Sequence, residues 1–288
     1  MGFFGRKRAP SVPHPRKEPR FDGPLTLERL EQIFQDCVDF TKRPVSLGEG
    51  GACTLTLCYL SGMVKMERVS DYVLRPLAQD EALARCGTPR QAMDRMKDGA
   101  LYNLSAEERT RLDAAVFDLV NGCCLLLFPW ESSVLSLNVG TEEKRSISSP
   151  SNETVLKGSR DAFVESLRTN TSIVRRHLKA PELRIREQVV GRQSVTSGDI
   201  LYIEGLTNPH LVEQVAAQLA DIDIDAVLTT GNIEEYIVPA ARTAFPLVQY
   251  TERSDRFCAG LAEGRVGILI DGLPLGYLAP GVLGDFLQ

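Results

Sequence analysis

The sequence is poor in the residues that build reaction centres. It has three histidines in 288 residues, His14, His177 and His210, and none has a second histidine or cysteine four residues on. The seven cysteines (37, 53, 58, 86, 123, 124 and 258) form no C-x-x-C, so no zinc spacing exists. Their odd count and scatter read as buried, reduced thiols of a cytosol-like compartment. There is no G-x-S-x-G elbow, no Walker loop and no H-E-x-x-H. No constellation supports an enzyme, and no metal or cofactor is expected. No apolar run approaches the roughly 18 residues that a membrane-crossing helix requires. The start lacks the apolar core of a signal peptide, and Arg6 stands where a myristoylation signal wants Ser or Thr.

What is present is a globular composition, 43% hydrophobic and 25% charged. The net charge of −5 hides an asymmetry. Residues 1–20 hold six lysines and arginines against one glutamate, so the body is more acidic than the total. An acidic body argues against nucleic acid as the main partner. Residues 1–23 also hold Pro10, Pro13, Pro15 and Pro19, and read as a disordered basic arm. That arm is either a solvated tail or a segment attracted to anionic lipid.

After the arm, apolar periodicity sets the elements. Thr26 caps a helix carrying Leu27, Leu30, Ile33, Phe34 and Cys37. Gly48, Gly50 and Gly51 precede a strand pattern, and Cys53 stands where the third glycine of a G-x-G-x-x-G loop belongs. Phosphate cradling is not expected there. A strand over 53–60 leads to a helix over 66–78 with Val69, Tyr72, Val73 and Leu77 on one face. Residues 80–112 read as mostly helical, with Ser105 and Glu108 forming a capping box. Strands follow over 123–128 and 134–139. The polar stretch 141–152, with Pro150, reads as a linker.

Beyond the linker, strands are expected over 183–189, 200–203, 226–229 and 247–251, and a short helix over 233–238. Asn208-Pro209 begins a helix, with Asn208 as N-cap. Ser254 is expected to cap another. A strand over 266–270, the turn Asp271-Gly272 and a strand over 273–278 end the pattern.

The two halves resemble each other. Tyr59-Leu-Ser-Gly62 and Tyr202-Ile-Glu-Gly205 lie 143 residues apart; Gly122 and Gly264, each before an apolar strand, lie 142 apart. The expected fold class is α/β, with two similar lobes joined by a short linker. The expected bounds are 1–23 for the arm, 24–140 and 153–288 for the lobes, and 141–152 for the linker. Paired lobes imply a cleft or a hinge.

Residues 153–176 organise the second half. They read as a helix with Ser159 as N-cap and Phe163, Leu167, Val174 and Leu178 on an apolar stripe. Asn170 falls on that stripe, so it either fixes the packing of a loop or contacts a ligand. Glu165, Arg168, Arg175 and Arg176 lie off the stripe, with Arg160 upstream. Such a face is either solvated or a docking surface. The reading carried forward is that Arg168 and Arg175, seven residues apart, are exposed and dock onto a partner.

The same stretch carries a resemblance. Glu153, Lys157, Gly158, Arg160, Phe163, Glu165, Leu167, Thr169, Asn170, Arg175 and Arg176 match the signature E-x-x-x-K-G-P-R-x-x-F-x-E-x-L-x-T-N…R-R. It resembles the GerA family, the A subunits of bacterial spore germinant receptors. Tyr202, Asn208-Pro209, Thr251-Glu252-Arg253, Asp255-Arg256 and Glu263-Gly264-Arg265-Val266 resemble its later blocks. Ser159 and Ser254 depart from prolines, and Gln193 from a basic residue.

The resemblance implies a non-enzymatic cytoplasmic domain at the spore inner membrane, followed by a membrane domain of its own full-length chain. It implies B and C subunits as partners and a nutrient germinant as a ligand of the receptor. A stage V sporulation protein AF-like paralogue, associated with dipicolinate release, is the second reading. A free-standing small-ligand sensor is the third. The candidate interaction or ligand residues are Arg160, Glu165, Arg168, Asn170, Arg175, Arg176, Asn208, Glu252 and Arg256.

Overall fold

The computed structural model describes residues 20–47, 53–101, 106–129, 131–140, 161–190, 196–222 and 248–281. The chain enters through α1 (Leu27–Ile33), whose N-cap Thr26 accepts a hydrogen bond from the Arg29 amide. Strand β1 (Phe40–Leu47) pairs antiparallel with β2 (Cys53–Leu60) along its whole length. A winding helical stretch follows. It comprises α2 (Met66–Val69), a π-helical turn Ser70–Leu74, α3 (Arg75–Gln79), α4 (Glu81–Ala84) and α5 (Pro89–Arg95). Then come β3 (Ala106–Arg109), α6 (Leu112–Val120), β4 (Cys123–Leu127) and β5 (Val134–Asn138). The sheet order is β1-β2-β4-β5-β3.

The second lobe repeats the plan. It runs α7 (Leu167–His177), β6 (Leu183–Val190), β7 (Thr196–Ile203) and α8 (Pro209–Ala220). It closes with β8 (Gln249–Thr251), α9 (Ser254–Ala262), β9 (Val266–Ile270) and β10 (Gly276–Ala279). The order β6-β7-β9-β10-β8 is that of the first sheet, strand for strand. Strands β1 and β6, β2 and β7, and β4 and β9 each begin 143 residues apart, so the internal repeat is a repeat of topology.

Period-two alternation explains why each sheet is covered on both faces. Leu55, Leu57, Cys124 and Leu126 face the helices between Met66 and Ala100. Their neighbours Cys58, Leu60, Leu125 and Leu127 face α1 and α6. In the second lobe Ile200, Ile268 and Ile270 meet α8, while Leu201 and Leu269 meet α7 and α9. Each lobe is therefore a sheet between two helical layers.

Several expectations change. Residues 106–109 form strand β3, not a helix begun by a capping box; Ser105 lies outside the described residues. The segment Ala-Glu-Glu-Arg has little intrinsic strand preference and is recruited by the free edge of β5. There Arg90, Lys97 and Ser133 bond the Glu108 carboxylate and pull its pKa down to about 2. Tyr72 is exposed while Val69, Val73 and Leu77 are buried, because the π-helical turn shifts the helical phase. Helix α7 starts at Leu167, capped by Ser166, and Phe163 is buried ahead of it on extended chain. Ser254 opens α9 but does not cap it, and its hydroxyl donates to the Asp161 carbonyl. Four cysteines are buried and Cys53, Cys86 and Cys123 are half-buried. The 141–152 linker, the Gly48–Gly51 loop and the elements expected at 226–238 lie outside the described residues.

Candidate functional site

The lobes meet where the α1–β1 corner touches the start of β6. The Val38 amide donates to the Ile185 carbonyl at 2.9 Å, and the Ile185 amide to the Asp36 carbonyl at 3.0 Å. Asp36 adopts a left-handed φ of 55° to make that turn. The Arg184 guanidinium donates across the junction to the Ile33 carbonyl at 2.8 Å.

Arg175 closes this junction. It is 0% exposed, and its Nε and Nη2 donate to the two carboxylate oxygens of Asp39 at 3.0 and 2.9 Å. Its Nη1 donates to the carbonyls of Leu183 and Ala180. This reverses the expectation that Arg175 is exposed for docking. Seven-residue spacing puts Arg168 and Arg175 on neighbouring parts of one helix face. The face is continuous, but the first lobe covers only its C-terminal end. Burial works against the Arg175 charge, and Asp39 together with Cys37 more than offsets it, so the pKa lies above the usual arginine value. A bidentate fork with further carbonyl partners is the arrangement in which a buried pair is tolerated.

A second buried carboxylate lies on the same side. Asp199 of β7 is 0% exposed, and its Oδ1 has no hydrogen-bond partner among the described residues. Its Oδ2 is 2.8 Å from the Thr171 hydroxyl and 3.6 Å from Arg168 Nη1. The same hydroxyl lies 2.9 Å from the Leu167 carbonyl. One hydroxyl hydrogen serves one acceptor. When Asp199 is ionised, Thr171 donates to it and gives up the Leu167 carbonyl; when Asp199 is protonated it can donate to Thr171, which is then free to donate to Leu167. Burial raises the Asp199 pKa to about 6, against the opposing influences of Thr171 and Arg168.

Above these groups a cleft of about 430 Å³ opens between the lobes. One wall runs from Ser61 to Glu67 after β2. The other is a stripe of α7, with Arg168, Ser172 and Arg176 at i, i+4 and i+8. The walls touch at the base, where a Cβ on Gly62 would lie 2.3 Å from Ser172 Oγ. A pocket of about 170 Å³ beneath reaches Asp39 and Thr171.

The other candidate residues scatter. Asn170 is fully buried, accepting from the Val164 amide at 2.8 Å and donating to the Val164 carbonyl. It fixes the turn that leads into α7. Asn170→Leu should therefore cost about 1–3 kcal/mol in urea melts, since both Val164 groups lose their partner. A neutral substitution would show that water replaces the side chain. Glu165 is exposed, and its carbonyl accepts from the Gly272 amide. Asn208 caps α8, accepting from the His210 amide. The Glu252 carbonyl accepts from the Phe163 amide, and Arg256 is exposed on α9. Arg160 lies outside the described residues. Among the described candidates, Arg168, Arg175 and Arg176 come together at the junction.

Sequence reasoning missed Asp39, Thr171 and Asp199. The signal available was an aspartate bordering an apolar strand, in Val38-Asp39-Phe40 and Asp199-Ile200-Leu201. Asp271 was read as a turn residue, yet its carboxylate accepts from the Leu167 amide at the start of α7. Among the described residues, no group of three His, Cys, Asp or Glu side chains is placed to hold a metal.

Comparison with known proteins gives this geometry a context. The profile of the Bacillus/Clostridium GerA spore germination protein family matches residues 28–288. The chain belongs to the GerA family. GerA relatives of known sequence include spore germination protein KA of Bacillus subtilis, 33% identical over 87% of this chain and 45% of that protein. Another is stage V sporulation protein AF of Bacillus subtilis, 30% identical over 81% of this chain and 47% of that protein. The chain spans about half the length of the curated GerA relatives it matches. The same fold occurs in the crystal structure of the N-terminal domain of the A subunit of the Bacillus megaterium spore germinant receptor GerK3. The TM-score is 0.70 at 26% identity, covering 89% of this chain and 94% of that one.

Proposed function

We propose that these 288 residues are the N-terminal domain of a germinant receptor A subunit that helps pass nutrient detection towards release of the spore contents. The observation that carries this reading is the likeness to the GerK3 domain over nearly its whole length. In this reading the domain is non-enzymatic and lies on the core side of the spore inner membrane. It is tethered there by a membrane domain in the remainder of the chain and works with B and C subunits. Among the described residues no helix is long and apolar enough to cross a membrane.

Deleting the gene in its host tests the proposal. The expected result is loss of germination with some nutrients and not others, restored by a complementing copy. A uniform slowing of dipicolinate release with every nutrient would favour the stage V sporulation protein AF-like role instead. Unchanged germination with all nutrients would overturn both.

A further inference from the structure

Asp199 is a carboxylate that packing alone does not explain. It stands on the face of β7 that also carries Leu201, beside a core of Phe163, Phe257, Leu261 and Leu269. Its side chain is fully buried, and Oδ1 lacks a hydrogen-bond partner among the described residues. A charge in that place is costly, so the site is sensitive to whether the proton is present.

Two neighbours stand between Asp199 and a second acceptor. The Thr171 hydroxyl lies 2.8 Å from Asp199 Oδ2 and 2.9 Å from the Leu167 carbonyl, and has one hydrogen to give. The Arg168 guanidinium lies 3.6 Å from Asp199 Oδ2 and 3.3 Å from Glu187 Oε1. Both Arg168 contacts are longer than the roughly 2.7–2.9 Å of a well-made charge-assisted bond. The side chain is half-exposed, so packing does not wedge it in either position. Arg168 lines both the inter-lobe cleft, opposite Ser61–Glu67, and the smaller pocket beneath it.

Charge reaches Asp199 from three sides. Helix α7 brings Arg168, while its Arg175 is committed to Asp39. Strand β6 brings Glu187, directly opposite Asp199 in the ladder, and the first lobe brings Asp39. The remaining neighbours are apolar: β9 sets Leu269 against it, and α9 meets this face through Phe257 and Leu261.

We propose that Asp199 is a proton-operated latch on the inter-lobe cleft, drawing Arg168 inward when ionised and releasing it outward to Glu187 when protonated. In the ionised state Thr171 gives its hydrogen to Asp199. In the protonated state Asp199 donates to Thr171, which donates to Leu167 at the start of α7. Each change moves one proton between solvent and the carboxyl group. Burial sets the midpoint near pH 6. Because Arg168 faces first-lobe residues across the cleft, its position reshapes the wall that the two lobes share. This inference goes beyond the receptor reading and does not depend on it.

The test is an NMR titration of the 288-residue protein between about pH 4.5 and 8. It follows the Asp199 carboxyl carbon, the Arg168 Nε–H group and the amides of 61–67. The expected result is one shared midpoint near pH 6. Asp199→Asn should abolish that transition and hold the other signals at their low-pH values throughout. Arg168→Gln should raise the carboxyl midpoint, since the lost cation favours the charged form, and flatten the response of 61–67. His177→Gln, at the other end of α7, should leave the transition in place. Melting curves of each variant confirm that it is folded. Amides of 61–67 that stay fixed while Asp199 titrates would overturn the proposal. So would a carboxyl with no transition in this range, or a shared transition that survives in Asp199→Asn.

Discussion

Arg175→Met should cost about 3–5 kcal/mol of folding stability. The substitution leaves Asp39, itself 3% exposed, with no ion-pair partner among the described residues. It also frees the Leu183 and Ala180 carbonyls. A loss of that size is a large fraction of the roughly 5–15 kcal/mol that holds a typical domain together. Arg175→Lys should fall between, because an ammonium cannot reproduce a fork that reaches both Asp39 oxygens. The double variant Asp39→Leu with Arg175→Met should be less damaged than Arg175→Met alone, since no buried charge is left unpaired. Urea melts of the four proteins form a double-mutant cycle. If the single variant melted like the parent, the pair would be water-accessible and the junction looser than the geometry shows.

Asp199→Asn should stabilise the protein at pH 7 and lose that advantage in acid. The folded pKa, about 6, lies above the ordinary aspartate value of 3.8. The folded state therefore binds the proton more tightly than the unfolded state does. Stability from this group is complete below about pH 4 and is lost as the pH rises through about 6. A shift of this size corresponds to on the order of 2–3 kcal/mol. Asparagine mimics the protonated form, because its amide can donate to Thr171 while Thr171 donates to Leu167. The charges that act on Asp199 are Arg168 on α7, Glu187 on β6 and Asp39 from the first lobe. Melts of both proteins between pH 4 and 7.5 should converge at the acid end, draw apart between about pH 4 and 6, and keep a constant separation above that. Parallel curves would mean that Asp199 is ionised throughout and that Thr171 has released the Leu167 carbonyl.

The chain by itself determined most of the architecture. Near-continuous apolar runs in 53–60, 123–127 and 266–270 marked the central strands, since a strand covered on both faces needs both sets of side chains apolar. The Tyr59/Tyr202 and Gly122/Gly264 anchors marked the repeat, and the two sheets share one strand order. Asn208-Pro209 marked the start of α8 through purely local capping chemistry. Asn170 was legible because a polar residue on an apolar stripe must find partners nearby, and it found them six residues away in Val164.

What the sequence could not decide was which partner covers a given face. Arg168 and Arg175 are the same residue type on one helix, and nothing local separates them. One is half-exposed and the other fully buried, because the first lobe brings Asp39 against the second. That contact joins residues 136 positions apart, and no periodicity encodes it. Strand β3 was misread for the same reason, since its conformation comes from the edge of β5 and not from its own four residues. The cleft exists only because two lobes, each folded by local pattern, meet at one corner and leave a gap beside it. Local preference and burial pattern are short-range and written along the chain, whereas charge pairing and concave surfaces arise from packing between segments distant in sequence.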